Sequence, residues 1–504
     1  MMQKLQEFKA YLKKIQSLQH AATLLHWDME CSMPKNGVEA HIASLTLLSS
    51  EAFKLSVASE MEEYVEALSK PEVFETLSAI DKKMVTLQKE AYDKSKHIPL
   101  VLQERLTELK SRAQHVWMTA KYEDDFDTMV PYFEEMVQLL KEKVQYTHPG
   151  QDAYDALLGS YEKGMTADKI AKVFEELKVG IIPLIQEIAS KPVFDDSKCL
   201  GEYPKGQQQA LSLYLLNVIG YNFDSGVLGE SEHPFTLGSA PYDVRITTHY
   251  HEDDIRQSAF SILHEGGHAL YEQHINPELV GTTLNDGTSM GIHESQSRFY
   301  ENIIGRSEVF WQKHYSEIIR LFPQYETITQ EAFYQSINKV GGSLIRVDAD
   351  ELTYNLHVII RFELERALFD GSLAVKDLPQ AWNEKMQAYL GVQPTSHKEG
   401  VLQDVHWPGG MFGYFPSYAL GNIYSGQFLQ KMEEELGRVE DLLQADQLEK
   451  ITAWLSEHIH QYGKMKTPAE IIKDTCGTEV DAQPIIAYYK KKYSKLYGLK
   501  TSLN

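Results

Sequence analysis

His264-Glu265-Gly266-Gly267-His268 lies within a segment whose apolar residues recur at helical spacing. Residues four apart on a helix share one face, so the two histidines can reach the same small cation. Zn²⁺ accepts imidazole nitrogen in a tetrahedral arrangement. Glu265 projects near such a metal without binding it, where it can take a proton from a water on the metal. The stretch predicts a helix that carries a zinc site, with His264 and His268 as ligands and Glu265 as general base.

The two glycines weigh against the alternative that these are ordinary helix histidines. Gly266 and Gly267 each cost roughly 1 kcal/mol in a helix interior relative to alanine. A helix with a purely structural role gains nothing from two adjacent glycines, whereas a site that needs close backbone approach does. The motif therefore favours a functional helix.

A third ligand is expected from the segment that begins at Gly291, which opens a second amphipathic helix. Glu294 lies far enough past the motif for a loop and a returning helix. Two histidines and one glutamate leave a fourth position open for water, as in catalytic zinc sites. The alternative for Glu294 is a surface glutamate that the helix dipole favours in a first turn.

The position four residues after Glu294, where a thermolysin-like pattern has an aspartate that orients a ligand histidine, is Arg298. We therefore expect the orienting group to come from elsewhere. Asp348 and Asp350 are the candidates, and His293 is a further one.

Composition restricts the function classes. The 504-residue chain has 72 acidic and 49 basic residues and a formal charge of −23. Such a surface repels nucleic acid and anionic membranes, so neither is an expected partner. The three cysteines show no CxxC spacing, which argues against a disulfide framework and against cysteine-ligated zinc. The start lacks the apolar region of a signal peptide and no apolar run could span a membrane, so we expect a cytoplasmic protein.

Helical periodicity dominates the chain, and the predicted fold class is all-α with a few short strands. We predict one domain over 1–504, in which a cap-like helical half (1–200) precedes the half with the metal site (201–504). The best strand candidate is 242–250, which alternates and is rich in β-branched residues. The helices predicted before it cover 2–26, 36–69, 78–122, 124–146, 166–190 and 205–219.

The chain resembles the carboxypeptidase Taq family of metallocarboxypeptidases from about residue 20 to its end. The resemblance rests on the metal motif followed by His293-Glu294-Ser295-Gln296, and on further motifs in order. These are Leu25-His26-Trp27-Asp28, His233-Pro234-Phe235, Asp243-Val244-Arg245-Ile246-Thr247, Ile345-Arg346-Val347-Asp348-Ala349-Asp350 and Gly400-Val401-Leu402-Gln403-Asp404-Val405-His406-Trp407.

The resemblance implies a saddle-shaped, zincin-like helical fold with a deep groove, and a cytosolic homodimer. It also implies zinc, which cobalt can replace, and peptide substrates with a free C-terminus. Single C-terminal residues would be released with broad specificity but poorly at proline.

A carboxypeptidase must bind a free α-carboxylate, and arginine suits that task because its planar fork binds carboxylate bidentately. Arg346 and Arg245 are the candidates because both lie inside family motifs. The alternative is a structural ion pair, of Arg346 with Asp348 or Asp350, or of Arg245 with Asp243.

Other groups are candidates for substrate contacts. The backbone near Thr247-Thr248-His249 could pair with a peptide by strand addition. Tyr418 and Tyr424 are candidates for stabilising an oxyanion, although buried structural tyrosines are the alternative. His406 and His233 are further candidates, since both lie in family motifs.

Two other functions remain open. A helical oligopeptidase or dipeptidyl carboxypeptidase would share the metal motif. A non-catalytic helical scaffold with a relic metal site is disfavoured because it would have no use for Glu265 as a base.

Overall fold

The computed structural model describes residues 2–499, and in this range the chain is predominantly helical with one three-stranded sheet. The predicted fold class is therefore confirmed. The helices are α1 (Met2–Cys31), α2 (Val38–Ser56), α3 (Ser59–Leu68), α4 (Pro71–Phe74), α5 (Ala79–Ser95), α6 (Leu100–Glu123), α7 (Val130–Thr147), α8 (Ala153–Tyr161), α9 (Ala167–Ala189), α10 (Lys205–Ile219), α11 (Ile255–Gln273), α12 (Met290–Arg298), α13 (Glu308–Leu321), α14 (Gln330–Ile337), α15 (Tyr354–Asp370), α16 (Leu378–Leu390), α17 (Pro416–Leu436), α18 (Val439–Gln444), α19 (Leu448–His458), α20 (Pro468–Cys476) and α21 (Gln483–Tyr497).

Two of the predicted helices are each divided in the structure. The segment 36–69 forms α2 and α3, which are separated by two residues. The segment 78–122 forms α5 and α6, because Pro99 adopts an extended conformation as the residue that precedes α6. A proline also restricts the residue before it to extended conformations, so a helix rarely continues through such a position.

The sheet consists of β1 (Leu228–Glu230), β2 (Thr236–Ala240) and β3 (Asp243–Thr248) in the order β1-β3-β2. β3 confirms the predicted strand; it pairs in parallel with β1 and antiparallel with β2. Alternation of apolar residues did not predict the other two strands, because β1 has only three residues and β2 contains small residues. β2 and β3 both pack on α11.

The helices that carry the metal motif contribute buried side chains to the larger of two hydrophobic clusters. α12 is packed between α11 and α17, and a Cβ on Gly421 of α17 would lie 2.5 Å from Cγ of Glu294. The smaller cluster joins the N-terminal helices to residues 275–284. No helix within residues 2–499 is both long and apolar enough to cross a membrane. The organisation as one domain, with a cap-like half up to residue 200 and a second half that carries the metal site, stays a prediction.

Candidate metal centre and arginine cluster

The two glycines of the motif lie where α11 meets its neighbours. A Cβ on Gly267 would lie 2.6 Å from the backbone oxygen of Gln296 and 2.7 Å from Cα of Ser297, both on α12. A Cβ on Gly266 would meet the side chain of Ile219 instead. The close approach that two helix glycines indicate is therefore real, and it brings the backbone of α12 next to the histidine motif.

This packing brings His264, His268 and Glu294 together. Their ligand atoms all lie within 4.8 Å of one another, and no other such group of three or more His, Cys, Asp or Glu side chains occurs in residues 2–499. Oε2 of Glu294 lies 3.6 Å from Nε2 of His264 and 3.5 Å from Nε2 of His268. Ligands at about 2.0–2.1 Å from one tetrahedral ion are roughly 3.3 Å apart, so the cluster fits a zinc ion.

The remaining nitrogen of each histidine has its own partner. Nδ1 of His264 lies 2.8 Å from Oε2 of Glu301, in the π-helical turn Phe299–Ile304 that continues α12. Nδ1 of His268 lies 2.6 Å from Nδ1 of His293. These contacts leave both Nε2 atoms directed at Glu294, as a metal site requires.

Arg298 binds Glu294 from the side opposite the histidines. Its Nε donates to Oε1 of Glu294 at 2.7 Å, and its Nη1 donates to Oε2 of Glu301 at 3.2 Å. Although burial opposes it, the charges of Arg298 and His264 hold the pKa of Glu294 well below its usual range. Glu294 is therefore ionised, with Oε2 directed toward the histidines.

Asp348 and Asp350 do not reach the ligand histidines, so the prediction that either orients them is wrong. Asp350 accepts hydrogen bonds from the backbone N–H groups of Gly341, Leu352 and Thr353. Asp348 is exposed, and no hydrogen bond links it to His264 or His268 among the described residues. Glu301 takes the orienting position instead, because it lies two helical turns past Glu294 on the same face.

Glu265 is buried beside the ligand cluster, and burial raises its pKa. The hydroxyl of Thr236 on β2 donates to its Oε2 at 2.6 Å. The strand that covers α11 therefore holds one carboxylate oxygen in place, and Oε1 has no hydrogen-bond partner among the described residues.

Arg346 belongs to a second buried charge cluster. Its Nε and Nη2 donate to Oδ1 of Asp404 at 3.1 and 2.9 Å. Arg361 donates to the other oxygen, Oδ2, at 2.7 Å. Burial and the neighbouring Arg346 lower the pKa of Arg361 although Asp404 opposes them. Two guanidinium groups thus share the carboxylate of Asp404, so Arg346 does not form the alternative ion pair with Asp348 or Asp350, and within this hydrogen-bonded group positive charge exceeds negative charge by one.

Neutral aromatic groups surround this arginine cluster. The ring of Tyr418 lies 5.0 Å from the guanidinium of Arg346, and its hydroxyl lies 3.2 Å from Nε2 of His406. Burial lowers the pKa of His406 to about 4, so it adds no charge near neutral pH. Tyr354 accepts a hydrogen bond from Arg346, and its ring stacks on Arg298, which binds Glu294. The arginine cluster and the metal centre are therefore adjacent.

The other predicted substrate residues have different surroundings. Arg245 forms a two-point ion pair with Asp243, as the structural alternative predicted. Tyr424 is fully buried and donates its hydroxyl to Glu162 at 2.9 Å, so it has no free donor for an oxyanion. His233 is exposed in the turn before β2.

The prediction that the backbone near Thr247 pairs with a peptide is wrong, because β3 is the central strand. The N–H of Thr247 donates to the carbonyl of Phe235, and the carbonyl of Thr248 accepts from Ser231. The N–H of Ile246 donates to Val227. Among the described residues, β2 is an edge strand that packs on α11, so its outer edge is the one next to the metal motif.

The fold and the site together define a helical metallopeptidase, and similarity to known proteins supports this class. The family model described as carboxypeptidase Taq (M32) metallopeptidase matches residues 7–493. Carboxypeptidase 1 of Bacillus subtilis is 44% identical over 98% of both chains. Thermostable carboxypeptidase 1 of Thermus thermophilus is 39% identical over 98% of this chain and 99% of that protein. The crystal structure of an M32 carboxypeptidase from Deinococcus radiodurans superposes with a TM-score of 0.95 at 33% identity, covering 99% of this chain and all of that one.

The chain belongs to the carboxypeptidase Taq (M32) family, and it is a metallocarboxypeptidase.

Proposed function

We propose that the enzyme uses zinc to release single amino acids from the C-terminus of peptides, with broad specificity and poor action at proline. His264, His268 and Glu294 would hold the ion, which cobalt can replace. The observation that carries the exopeptidase assignment is the unmatched positive charge of the arginine cluster next to this site.

Glu265 would act as the general base. When bound, the zinc ion polarises the scissile carbonyl and lowers the pKa of water. Because Thr236 holds Oε2 of Glu265, Oε1 is the atom that accepts a proton from the attacking water. The same atom then gives the proton to the departing amine nitrogen.

Arg346 is the proposed anchor for the substrate carboxylate. A buried guanidinium without a matching anion is costly, and a peptide carboxylate would supply the missing charge. Arg245 has no such deficit because Asp243 already neutralises it. Tyr418 and His406 flank Arg346, so they are proposed contacts of the same carboxylate, and Tyr418 remains the candidate donor to the oxyanion. A substrate contact of His233 stays a prediction.

The free edge of β2 is the proposed backbone contact. Within residues 2–499, β2 pairs only with β3, and its Thr236 touches Glu265. A peptide that adds to this edge would present its last bond beside the general base.

The test is the time course of products from one unblocked peptide and from its C-terminally amidated twin. The proposal expects sequential release of single residues from the free acid and much slower cleavage of the amide. Dipeptide products would indicate a dipeptidyl carboxypeptidase, and internal fragments from both peptides an oligopeptidase. A zinc-replete enzyme without activity on either would support a non-catalytic scaffold.

Metal identity, assembly and location are also proposed. Elemental analysis of purified enzyme is expected to find one zinc per chain, and activity is expected to return to the apoenzyme with cobalt. Light scattering is expected to give the mass of a homodimer, a proposal that rests on the family resemblance. Cys31, Cys199 and Cys476 are all free thiols, which supports a cytoplasmic location.

A further inference from the structure

The ligand His268 is the first member of a chain of side chains that continues away from the metal centre. Its Nδ1 lies 2.6 Å from Nδ1 of His293, and Nε2 of His293 lies 2.8 Å from Oε1 of Glu272. All three side chains are at least partly buried, and Glu272 is nearly fully so. We propose that Glu272 is a positioning residue that acts through His293 to set the tautomer and orientation of His268.

The direction of the hydrogen bonds follows from the chemistry of imidazole. A histidine that binds a metal through Nε2 is neutral and carries its proton on Nδ1. His268 therefore donates to Nδ1 of His293, which must accept. The proton of His293 is then on Nε2, where the carboxylate of Glu272 accepts it. In this arrangement each donor meets one acceptor.

The surroundings of Glu272 are built to hold its carboxylate in place. The N–H of Gly287 donates to its Oε1 at 3.2 Å. A Cβ on Gly287 would lie 2.5 Å from Cδ2 of His293, so only glycine lets this loop pass over the imidazole. A Cβ on Gly238 of β2 would lie 3.0 Å from Oε2 of Glu272. The loop that precedes α12 and the small residues of β2 thus both make room for the chain of three residues.

Periodicity connects Glu272 with the general base. Glu265 and Glu272 are seven residues apart on α11, and they face Thr236 and Gly238, which are two apart on β2. Seven residues make two turns of a helix, and two residues return to the same face of a strand. One strand therefore contacts both the proton acceptor and the end of the histidine chain.

The experiment measures the zinc Kd of the apoenzyme by competition with a chelator. Glu272→Gln keeps an acceptor oxygen for His293 and Gly287 but removes the negative charge. Changes to groups that orient a metal ligand weaken metal affinity about 10–100-fold, and we expect a Kd about tenfold higher. Glu278→Gln, at an exposed position six residues further on, is the matched control and should leave the Kd unchanged.

The claim that Glu272 acts through His293 is tested by a double variant. His293→Leu removes the acceptor for His268, so Glu272→Gln in that background should change the Kd by less than about twofold. An unchanged Kd in Glu272→Gln alone would overturn the proposal, and so would the same fold-loss in both backgrounds. If His293→Leu does not fold, the result of Glu272→Gln decides.

This inference rests on the proposed zinc site, and the measurement separates the two. If the wild-type enzyme binds no zinc, both the proposed zinc site and the role of Glu272 are wrong. If the wild-type enzyme binds zinc tightly and Glu272→Gln leaves the Kd unchanged, only the role of Glu272 is wrong. Peptide hydrolysis does not enter the measurement.

Discussion

The metal centre and the arginine cluster are both buried, but their unbalanced charges have opposite signs. With neutral histidines, the metal centre has four carboxylates against two guanidiniums. Its members are Glu265, Glu272, Glu294, Glu301, Arg298 and Arg306. The arginine cluster has two guanidiniums, of Arg346 and Arg361, against the single carboxylate of Asp404.

Each imbalance corresponds to the charge of the proposed occupant. Two excess negative charges suit a dication, and one excess positive charge suits a carboxylate. Burying an unpaired charge costs several kcal/mol, and a bound ion of opposite charge would offset that cost at each site. Arg298 and Tyr354 connect the two sites, and this adjacency is consistent with the proposed release of a single C-terminal residue.

The largest expected effect is the loss of kcat when Glu265 at the metal centre is replaced by a side chain that cannot act as a base. Glu265→Gln retains the shape of the side chain and loses the base. Zinc content should be unchanged while kcat falls by about 10²–10⁴-fold, the usual contribution of a positioned base. Steady-state kinetics with elemental analysis of the same sample measure both. Near-normal kcat in a zinc-replete variant would remove Glu265 from the mechanism.

The next prediction breaks the arginine cluster alone. Arg346→Ala leaves Asp404 paired with Arg361, so the excess positive charge disappears. The rate on a free-acid peptide should fall at least tenfold while the rate on its amide hardly changes, because a charge-assisted hydrogen bond contributes about 1.5–3 kcal/mol. The acid-to-amide ratio does not depend on the fraction of folded enzyme.

Arg245→Ala is the matched control, because Arg245 is already neutralised by Asp243. It should leave the acid-to-amide ratio unchanged. If the two variants behave in the reverse way, Arg245 is the anchor. If neither changes a real preference for the acid, the anchor lies elsewhere.

The next prediction concerns metal affinity and reduces the charge of the metal centre without loss of a ligand. Glu301→Gln removes one excess negative charge and weakens the hydrogen bond that orients His264. We expect a zinc Kd about 10–100-fold higher by chelator competition. Glu317→Gln, which removes an ion pair with an exposed arginine, is the control. A Kd equal to that of wild type would show that the charge excess does not contribute to zinc affinity.

The residues of the candidate metal site that obey local periodicity could be predicted from the sequence. Four-residue spacing predicted His264 and His268, and a returning helix predicted Glu294. Glu301 also lies on the predicted face, seven residues after Glu294, but Arg298 at the expected aspartate position directed the prediction to Asp348 and Asp350 instead. Spacing within the same helix was therefore the signal that could have identified Glu301.

Contacts between distant segments could not be predicted in this way. Asp404 lies 43 residues from Arg361 along the chain, and Thr236 lies 29 residues from Glu265. Asp404 belongs to a recognised motif, yet its contact with Arg361 depends on how α15 packs against the loop before α17. The short strands were missed for a similar reason, since β1 and β2 exist only through pairing with β3.

The smallest expected effect compares two adjacent glycines of the metal helix. A Cβ on Gly267 would lie 2.6 Å from backbone of α12, and α12 cannot shift because α17 packs against its other side. A Cβ on Gly266 would instead lie 2.4 Å from Cδ1 of Ile219 and 3.3 Å from Cδ2 of Leu216, which are the far ends of flexible side chains. Overpacking against a fixed neighbour costs about 1–3 kcal/mol, whereas alanine gains roughly 1 kcal/mol of helix propensity over glycine.

Gly267→Ala should therefore lower the free energy of unfolding and, by moving Glu294 away from the histidines, also weaken zinc binding. Gly266→Ala should leave both near their wild-type values, because rotation of Ile219 and the gain in helix propensity offset each other. Urea unfolding of the apoenzymes and chelator competition measure the two quantities. Equal behaviour of the two variants would contradict the assignment of close helix contact to Gly267, and it would leave the charge comparison between the two sites untouched.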